Sequence, residues 1–313
     1  MFDISTIGHL LYDIRCYVND FPLRDRTVLT RGKIKYSAGG SACNSAVCSS
    51  NLEKKVAICG KIGFDDYGIF LIKNFISKKV DISNIVIDYH NPTGISVVII
   101  DKNGQPEIVE MLGANEPIPI RGIKTNFFNT KLIHMTGTGL PILKYISASA
   151  KKKGIKVTFD PGRRAAAEGY KKLGPILENT DVVIGNKIEI SHLLKMGENG
   201  SIEEIFKKID ALYPEKTFVV KQGAGETFVK NNNSFKVDTF KIKAVDTLGA
   251  GDTFAGALVT ALSDKKKIED SIVFANAAAA FKVTKEGAQS SPKKGELESF
   301  LELKKEDIDI KYL

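Results

Sequence analysis

The sequence has no run of about 18 or more apolar residues, which leaves no candidate for a membrane-spanning helix. Its N-terminus, MFDISTIGHL, lacks a basic stretch followed by an apolar core, so no secretory leader is expected and a cytoplasmic enzyme is the default reading. Cysteine is scarce. Cys16, Cys43, Cys48 and Cys59 form no CxxC pair and have no histidine at a metal-ligand spacing, which argues against a structural zinc or a disulfide framework and leaves buried reduced thiols. Internal repeats, low-complexity tracts and long linkers are missing. The phosphate-loop motif GxxxxGK[ST] is absent too, which closes one common route to nucleotide phosphates. The net charge of +8 comes without a basic stripe interleaved with aromatics. Its lysines are scattered, with short clusters at 151–153 and 265–267 that read as solvated helix ends, so neither nucleic acid nor a membrane is expected as a partner. What remains is a 313-residue chain with 43% hydrophobic and 26% charged residues, the composition of an ordinary globular protein with room for one large α/β domain or two smaller ones.

The most informative stretch is residues 246–258, DTLGAGDTFAGAL. Gly249, Ala250 and Gly251 precede Asp252, and residues 253–262 read as an apolar, alanine-rich helix. Small residues before a helix start leave backbone N–H groups pointing together, backed by the positive end of the helix dipole, and such a turn binds phosphate without side chains. The aspartate inside it is the unusual part, because a carboxylate repels an anion. A purely structural reading makes Asp252 a cap or first-turn acid for its own helix. A chemical reading makes it a base beside a transferring phosphoryl group, since that reaction needs both donors and a base.

Elsewhere the chain alternates strands and helices. Strand-like segments at 132–137, 155–160, 181–186 and 217–223 end in Gly137, Asp160, Asn186 and Gly223, which places candidate ligands along the carboxyl edge of a parallel sheet. A first strand over 2–8 delivers a loop with Asp13 beyond it. Residues 56–75 read as a strand, a glycine loop and a helix, and the segment SAGGSACNSAV carries Gly39, Gly40 and Asn44, the last near the start of a helix reaching about Leu52. Residues 93–113 form two strand-like runs around KNGQ, whose Asn-Gly is a hairpin signal that interrupts the βα rhythm.

The 246–258 stretch closely resembles the C-terminal signature DTxGAGDxF of the ribokinase-like (PfkB) family of carbohydrate and nucleoside kinases, and the resemblance extends from the first strand to about Pro292. It implies a three-layer α/β sandwich in one domain over 1–313, with a mostly parallel central sheet and a small antiparallel β lid from about 14–38 and 90–116. It further implies ATP, or ADP, as donor and a sugar or nucleoside primary hydroxyl as acceptor. Asp252 would be the base, and the Gly249, Ala250 and Gly251 turn would hold the transferring phosphate. Asp13, Gly39, Gly40, Asn44, Asn115 and Arg163 would bind acceptor. Arg163 is ranked above its neighbour Arg164 in DPGRR, where Gly162 replaces the family's usual Asn. Ser41 stands where many relatives carry Lys, as in nucleoside and broad-specificity members.

On the donor side the resemblance implies Asn186, Lys221, Gly223, Gly225 and Asn276, with Glu189 of the NxxE motif anchoring magnesium through water. A GxxGxDxxG element matches Gly60, Gly63, Asp65 or Asp66, and Gly68. A potassium site is implied near Asp246, Leu248, Gly287 and Ser291, and a homodimer through the lid strands. A nucleoside or ribose-like acceptor is expected, with fructose, 2-keto-3-deoxygluconate or a phosphorylated ribose as alternatives. A non-catalytic sugar or nucleotide sensor is the reading from another class, and intact Asp252 and Glu189 weigh against it.

Overall fold

The computed structural model describes residues 1–104, 106–198, 200–304 and 308–313; Gln105, the last residue of the KNGQ turn, lies outside them. The chain runs β1 (Phe2–Ile7), β2 (Leu11–Tyr17), β3 (Lys35–Gly39), α1 (Ser41–Asn51), β4 (Val56–Gly63), α2 (Asp66–Ser77), β5 (Val80–Asp88), β6 (Gly94–Ile100) and β7 (Pro106–Met111). Then follow β8 (Thr130–Thr136), α3 (Leu140–Lys152), β9 (Lys156–Asp160), α4 (Gly162–Glu168), α5 (Tyr170–Leu177), β10 (Val182–Asn186), α6 (Lys187–Leu193), α7 (Ile202–Leu212) and β11 (Thr217–Lys221). The last elements are β12 (Thr227–Lys230), β13 (Phe235–Val237), α8 (Ala250–Ser263), α9 (Ile268–Val283), α10 (Lys294–Leu303) and β14 (Ile310–Tyr312). No helix among the described residues is long and apolar enough to cross a membrane.

The large sheet has the order β14-β13-β12-β11-β10-β9-β8-β1-β4-β5. Pairing is parallel from β5 through β11 and antiparallel in the meander β11-β12-β13-β14. Strands buried on both faces read as continuous apolar runs, and successive side chains go to opposite layers. Thus Ile133, Met135, Val183, Phe218 and Val220 pack with Leu143, Leu173 and Ile205 of one helical layer. Leu132, Val182, Ile184 and Val219 pack with Leu258, Ile272 and Leu297 of the other. Each such fully buried side chain contributes about 1.5–3 kcal/mol, so the three-layer sandwich expected from the βα rhythm follows from the pleat.

The small sheet has the order β3-β2-β6-β7. Its outer pairs are antiparallel, whereas the central β2–β6 pair runs parallel. Asp13, expected in a loop past the first strand, lies within β2. Residues 18–34 contribute no strand to this sheet. The Asp65-or-Asp66 alternative resolves in favour of a capping role for Asp65, whose side chain accepts from Gly68 N at the start of α2 and from Thr93 N at 2.7 Å.

Two helices begin earlier than the sequence suggests. Helix α1 starts at Ser41, and α8 starts at Ala250 instead of Thr253. Gly249 adopts φ 76° and makes the entry turn on its own, so the small residues after it are already helical. Helices α1 and α8 lie in close contact. A Cβ on Gly256 would stand 2.6 Å from Ser45 O and 2.7 Å from Cys48 Cβ, and Ser49 Oγ donates to Gly256 O at 2.9 Å. Gly256→Val should force the two helices apart and lower unfolding free energy by about 1–3 kcal/mol, read from the midpoint of urea denaturation.

Candidate active site

The centre of the site is the start of α8. Gly249 needs its left-handed backbone and also the absence of a side chain, because a Cβ there would lie 2.7 Å from Ala288 O and 2.9 Å from Ala288 Cβ. Asp252 sits in the first helical turn but does not cap it, since the cap residue is Gly249 and makes no side-chain bond. Its carboxylate instead faces α1: Asn44 Nδ2 donates to Asp252 Oδ2 at 2.8 Å, and Ser41 adds a second hydrogen bond. Burial raises the Asp252 pKa above the usual carboxylate range, helped by the nearby Asp160 charge and opposed by Asn44, Ser41 and Lys221. The Lys221 ammonium lies over the same turn, 3.4 Å from where a Gly251 Cβ would be.

Two cavities meet at this point. One, of about 760 Å³, is lined by Asp13, Gly40, Asn44, Arg163 and Arg164 and covered by β6 and β7. The other, of about 450 Å³, is lined by Asn186, Lys221, Gly223, Phe254 and Asn276. Ser41, Gly162, Glu189 and Asp252 line both.

In the first cavity Asp13 is 5% exposed. Burial pushes its carboxyl up to about 7, opposed by Arg15 and reinforced by Asp252 and Glu110. Gly40 leaves this wall free of a side chain, and Gly39, which lines neither cavity, packs against Asp13 behind it. A Cβ on Gly39 would strike the Asp13 carboxylate at 2.1 Å, and one on Gly40 would strike His9 O at 2.4 Å. Arg163 and Arg164 enter from the start of α4. Arg164 pairs with Glu116, whose Oε1 also meets His9 Nε2 at 2.7 Å. Burial lowers the His9 pKa, against the opposing pull of Glu116. His9 was not singled out from the sequence; its place in the loop after the first strand was the available signal. Asn115 does not line either cavity. It is fully buried, and its side chain accepts from Leu10 N (2.7 Å) and donates to Leu10 O and Leu112 O (both 3.0 Å), pinning the loop that carries His9.

In the second cavity the NxxE motif is a capping box at the start of α6. Glu189 N donates to Asn186 Oδ1 (2.9 Å), and Asn186 N donates to Glu189 Oε2 (2.8 Å). Burial raises the Glu189 pKa, helped by Asp160 and opposed by Lys221. Lys221 Nζ lies 3.4 Å from Asp160 Oδ2. Burial alone would lower its pKa, but Asp160, Glu189 and Asp252 together raise it. Asn276 accepts from Thr227 Oγ1 (2.9 Å) and donates to Asp238 O (3.1 Å). Gly223 takes φ 62° in the turn after β11; Gly225 closes that turn onto Gln222 O and does not line the cavity.

The described residues hold no cluster of three or more His, Cys, Asp or Glu able to bind a metal by themselves. The second cavity nevertheless offers Glu189 and Asp160 oxygens beside the phosphate turn. Magnesium fits that setting, because it keeps several waters and takes one or two carboxylates together with substrate phosphates. Behind the turn, Asp246 Oδ1 accepts from Leu248 N (2.9 Å) and Oδ2 from Gly287 N (2.8 Å). Lys282 Nζ donates to the Asp246 carbonyl at 2.7 Å; burial pushes its pKa down to about 8, against the pull of Asp246. Ser291 is held to α1, its Oγ accepting from Asn51 Nδ2 at 3.0 Å. All four cysteines are free thiols.

The family model for pfkB family carbohydrate kinase matches residues 1–294. The chain is 28% identical over 303 residues to the ATP-dependent ribose-1-phosphate kinase of Halopiger xanaduensis, with 96% of this chain and 98% of that protein covered. It is 30% identical over 283 residues to the ribokinase of Haemophilus influenzae, with 88% and 90% covered. The solved structure of ribokinase from Thermotoga maritima has a TM-score of 0.83 at 30% identity, covering 96% of this chain and 100% of that one.

The Asp13 carboxyl is neutral below its pKa of about 7 and ionised above it, and only the ionised form accepts hydroxyl donors at both oxygens. The acceptor KM should therefore fall as pH rises from about 6 to 8, and Asp13→Asn should flatten that slope; initial-rate kinetics across the range provides the check.

Proposed function

The chain belongs to the pfkB family of carbohydrate kinases and is an ATP-dependent sugar or nucleoside kinase; on that premise we propose that it phosphorylates the primary hydroxyl of a ribose unit with Asp252 as base. The observation that carries this reading is that Asp252 lines both cavities. An acceptor in the first and the triphosphate of ATP in the second would come together at the junction formed by Asp252, Ser41, Gly162 and Glu189, with the start of α8 beside it.

The roles follow from the contacts. Asn44 and Ser41 orient the Asp252 carboxylate, which the acceptor hydroxyl meets from the first cavity. As the new O–P bond forms, the hydroxyl proton passes to Asp252, and the bond from the γ-phosphorus to the bridging oxygen of ADP breaks. An aspartate suffices as base because the hydroxyl becomes acidic only as the bond forms, and its raised pKa improves the match. Backbone N–H groups of Gly249, Gly251 and Asp252 stabilise the transferring group, that of Ala250 being held by Thr247 O at 3.1 Å, and Lys221 balances its charge. Magnesium held through water by Glu189 would neutralise the donor phosphates when bound. The small sheet over the first cavity acts as a lid that keeps water from the phosphoryl group. The β7 edge, whose six residues are all exposed, supports pairing of two lids in a homodimer.

For the acceptor, ribose 1-phosphate is favoured. Arg163 and Arg164 both face the cavity, and a bidentate arginine suits a phosphate monoester. Similarity over nearly the whole chain to the Halopiger enzyme supports the same choice. A nucleoside is the second reading, favoured by the 760 Å³ volume and by Ile99, Ile108 and Val109 along the lid wall.

Asp252→Asn should lower kcat by about 10²–10⁴-fold while ATP affinity stays near the parent value; a variant retaining a tenth of the activity would remove Asp252 from the base role. Arg163→Ala should raise the KM for ribose 1-phosphate by about 10–100-fold, the range of a lost charged hydrogen bond, and leave that for free ribose unchanged. Turnover of nucleosides but not of ribose 1-phosphate would favour the second reading.

A further inference from the structure

Potassium, implied by resemblance beside Asp246, Leu248, Gly287 and Ser291, has to fit what already stands there. The carbonyl of Asp246 is taken by the Lys282 ammonium at 2.7 Å, and Lys282 is fully buried in the last turn of α9. The Asp246 carboxylate is engaged on both oxygens by the backbone N–H groups of Leu248 and Gly287. Its Oδ2 also faces the Arg15 guanidinium at 3.8 Å, and Lys282 Nζ lies 3.8 Å from Oδ1. Two buried cations thus share one carboxylate, and Arg15 Nε and Nη1 have no hydrogen-bond partner of their own. A third positive charge on the same carbonyl would be repelled from both sides, with little water to screen it.

The arrangement also does what a bound cation would do. Val245 N and Asp246 N both donate to Val283 O, at 2.7 and 3.1 Å, so the irregular segment entering the phosphate turn is laid along the end of α9. Lys282 fastens the Asp246 carbonyl of that segment, and Gly249 then packs directly on Ala288. The direction of the N–H groups at 249–252 depends on this clamp.

We propose that Lys282, with Arg15 beside it, is a built-in cation that holds the phosphate turn, making this kinase independent of potassium and other monovalent ions. Lys282 is a positioning residue in this account, acting through Asp246 and touching neither substrate. The inference rests on the kinase reading but not on which acceptor is used.

The first test needs no turnover. Thallium(I) NMR of the wild-type protein, with and without Mg-ATP, should show no saturable site displaced by potassium; such a site would overturn the proposal. The second is kinetic, at constant ionic strength. Replacing potassium by tetramethylammonium should change the wild-type rate by less than about twofold, where a coupled effector gives about 5–150-fold. Lys282→Met, which keeps the length and removes the charge, should lose about tenfold or more and regain activity with potassium or methylammonium. Potassium stimulation of the wild type, or an unimpaired Lys282→Met in tetramethylammonium, would contradict it. A wild type that phosphorylates no acceptor would count against the proposed function and leave the thallium result to decide this one.

Discussion

In the proposed reaction a carboxylate and a phosphate share the first turn of α8. Left alone, Asp252 and an incoming anion would repel each other across a space partly closed to water. The structure answers with fixed donors. Asn44 and Ser41 hold the carboxylate from α1, the backbone N–H groups and helix dipole face the anion, and the Lys221 ammonium stands over both. These partners come from α1, α8 and β11, which meet only because the parallel strands bring their carboxyl ends to one edge and because Gly256 lets the two helices touch.

The same constraint explains the distribution of buried charge. On the donor side, Asp160, Glu189 and Lys221 form a compact cluster in which each carboxylate raises the lysine and the lysine restrains Glu189. Behind the turn, Asp246, Lys282 and Arg15 form a second cluster whose members line neither cavity themselves. In the first cavity burial carries the Asp13 carboxyl up to about 7, Asp252 and Glu110 adding to the rise and Arg15 and a Ser96 hydrogen bond opposing it. Buried charge is costly, so a polyhydroxyl ligand would supply donors that this carboxylate's own partners do not.

Much of this was legible in the sequence where the information is local. GAGD before an apolar helix announces the anion turn, and the strand ends at Asp160 and Asn186 announce the sheet edge, because turn chemistry and hydrophobic period act over a few residues. The parallel β2–β6 pair was not legible, since strand pairing is decided by contacts about eighty residues apart that neither segment encodes alone. Helix α8 starts three residues before the expected Thr253 because the left-handed Gly249 makes the entry turn and Ala250 is already helical. Asn115 has the right composition for a ligand, yet its hydrogen-bonding capacity is spent on Leu10 and Leu112. Lys282 looks like any helix-end lysine until folding buries it against Asp246.

The proposed reaction requires the Asp252 carboxylate to serve both cavities. A crystal structure with a non-hydrolysable ATP analogue and ribose 1-phosphate addresses it directly. The acceptor's primary hydroxyl should lie within about 2.6–3.2 Å of an Asp252 oxygen, in line with the γ-phosphorus above residues 249–252. An acceptor bound with that hydroxyl turned away from Asp252, or a γ-phosphate seated elsewhere than at the start of α8, would contradict the account.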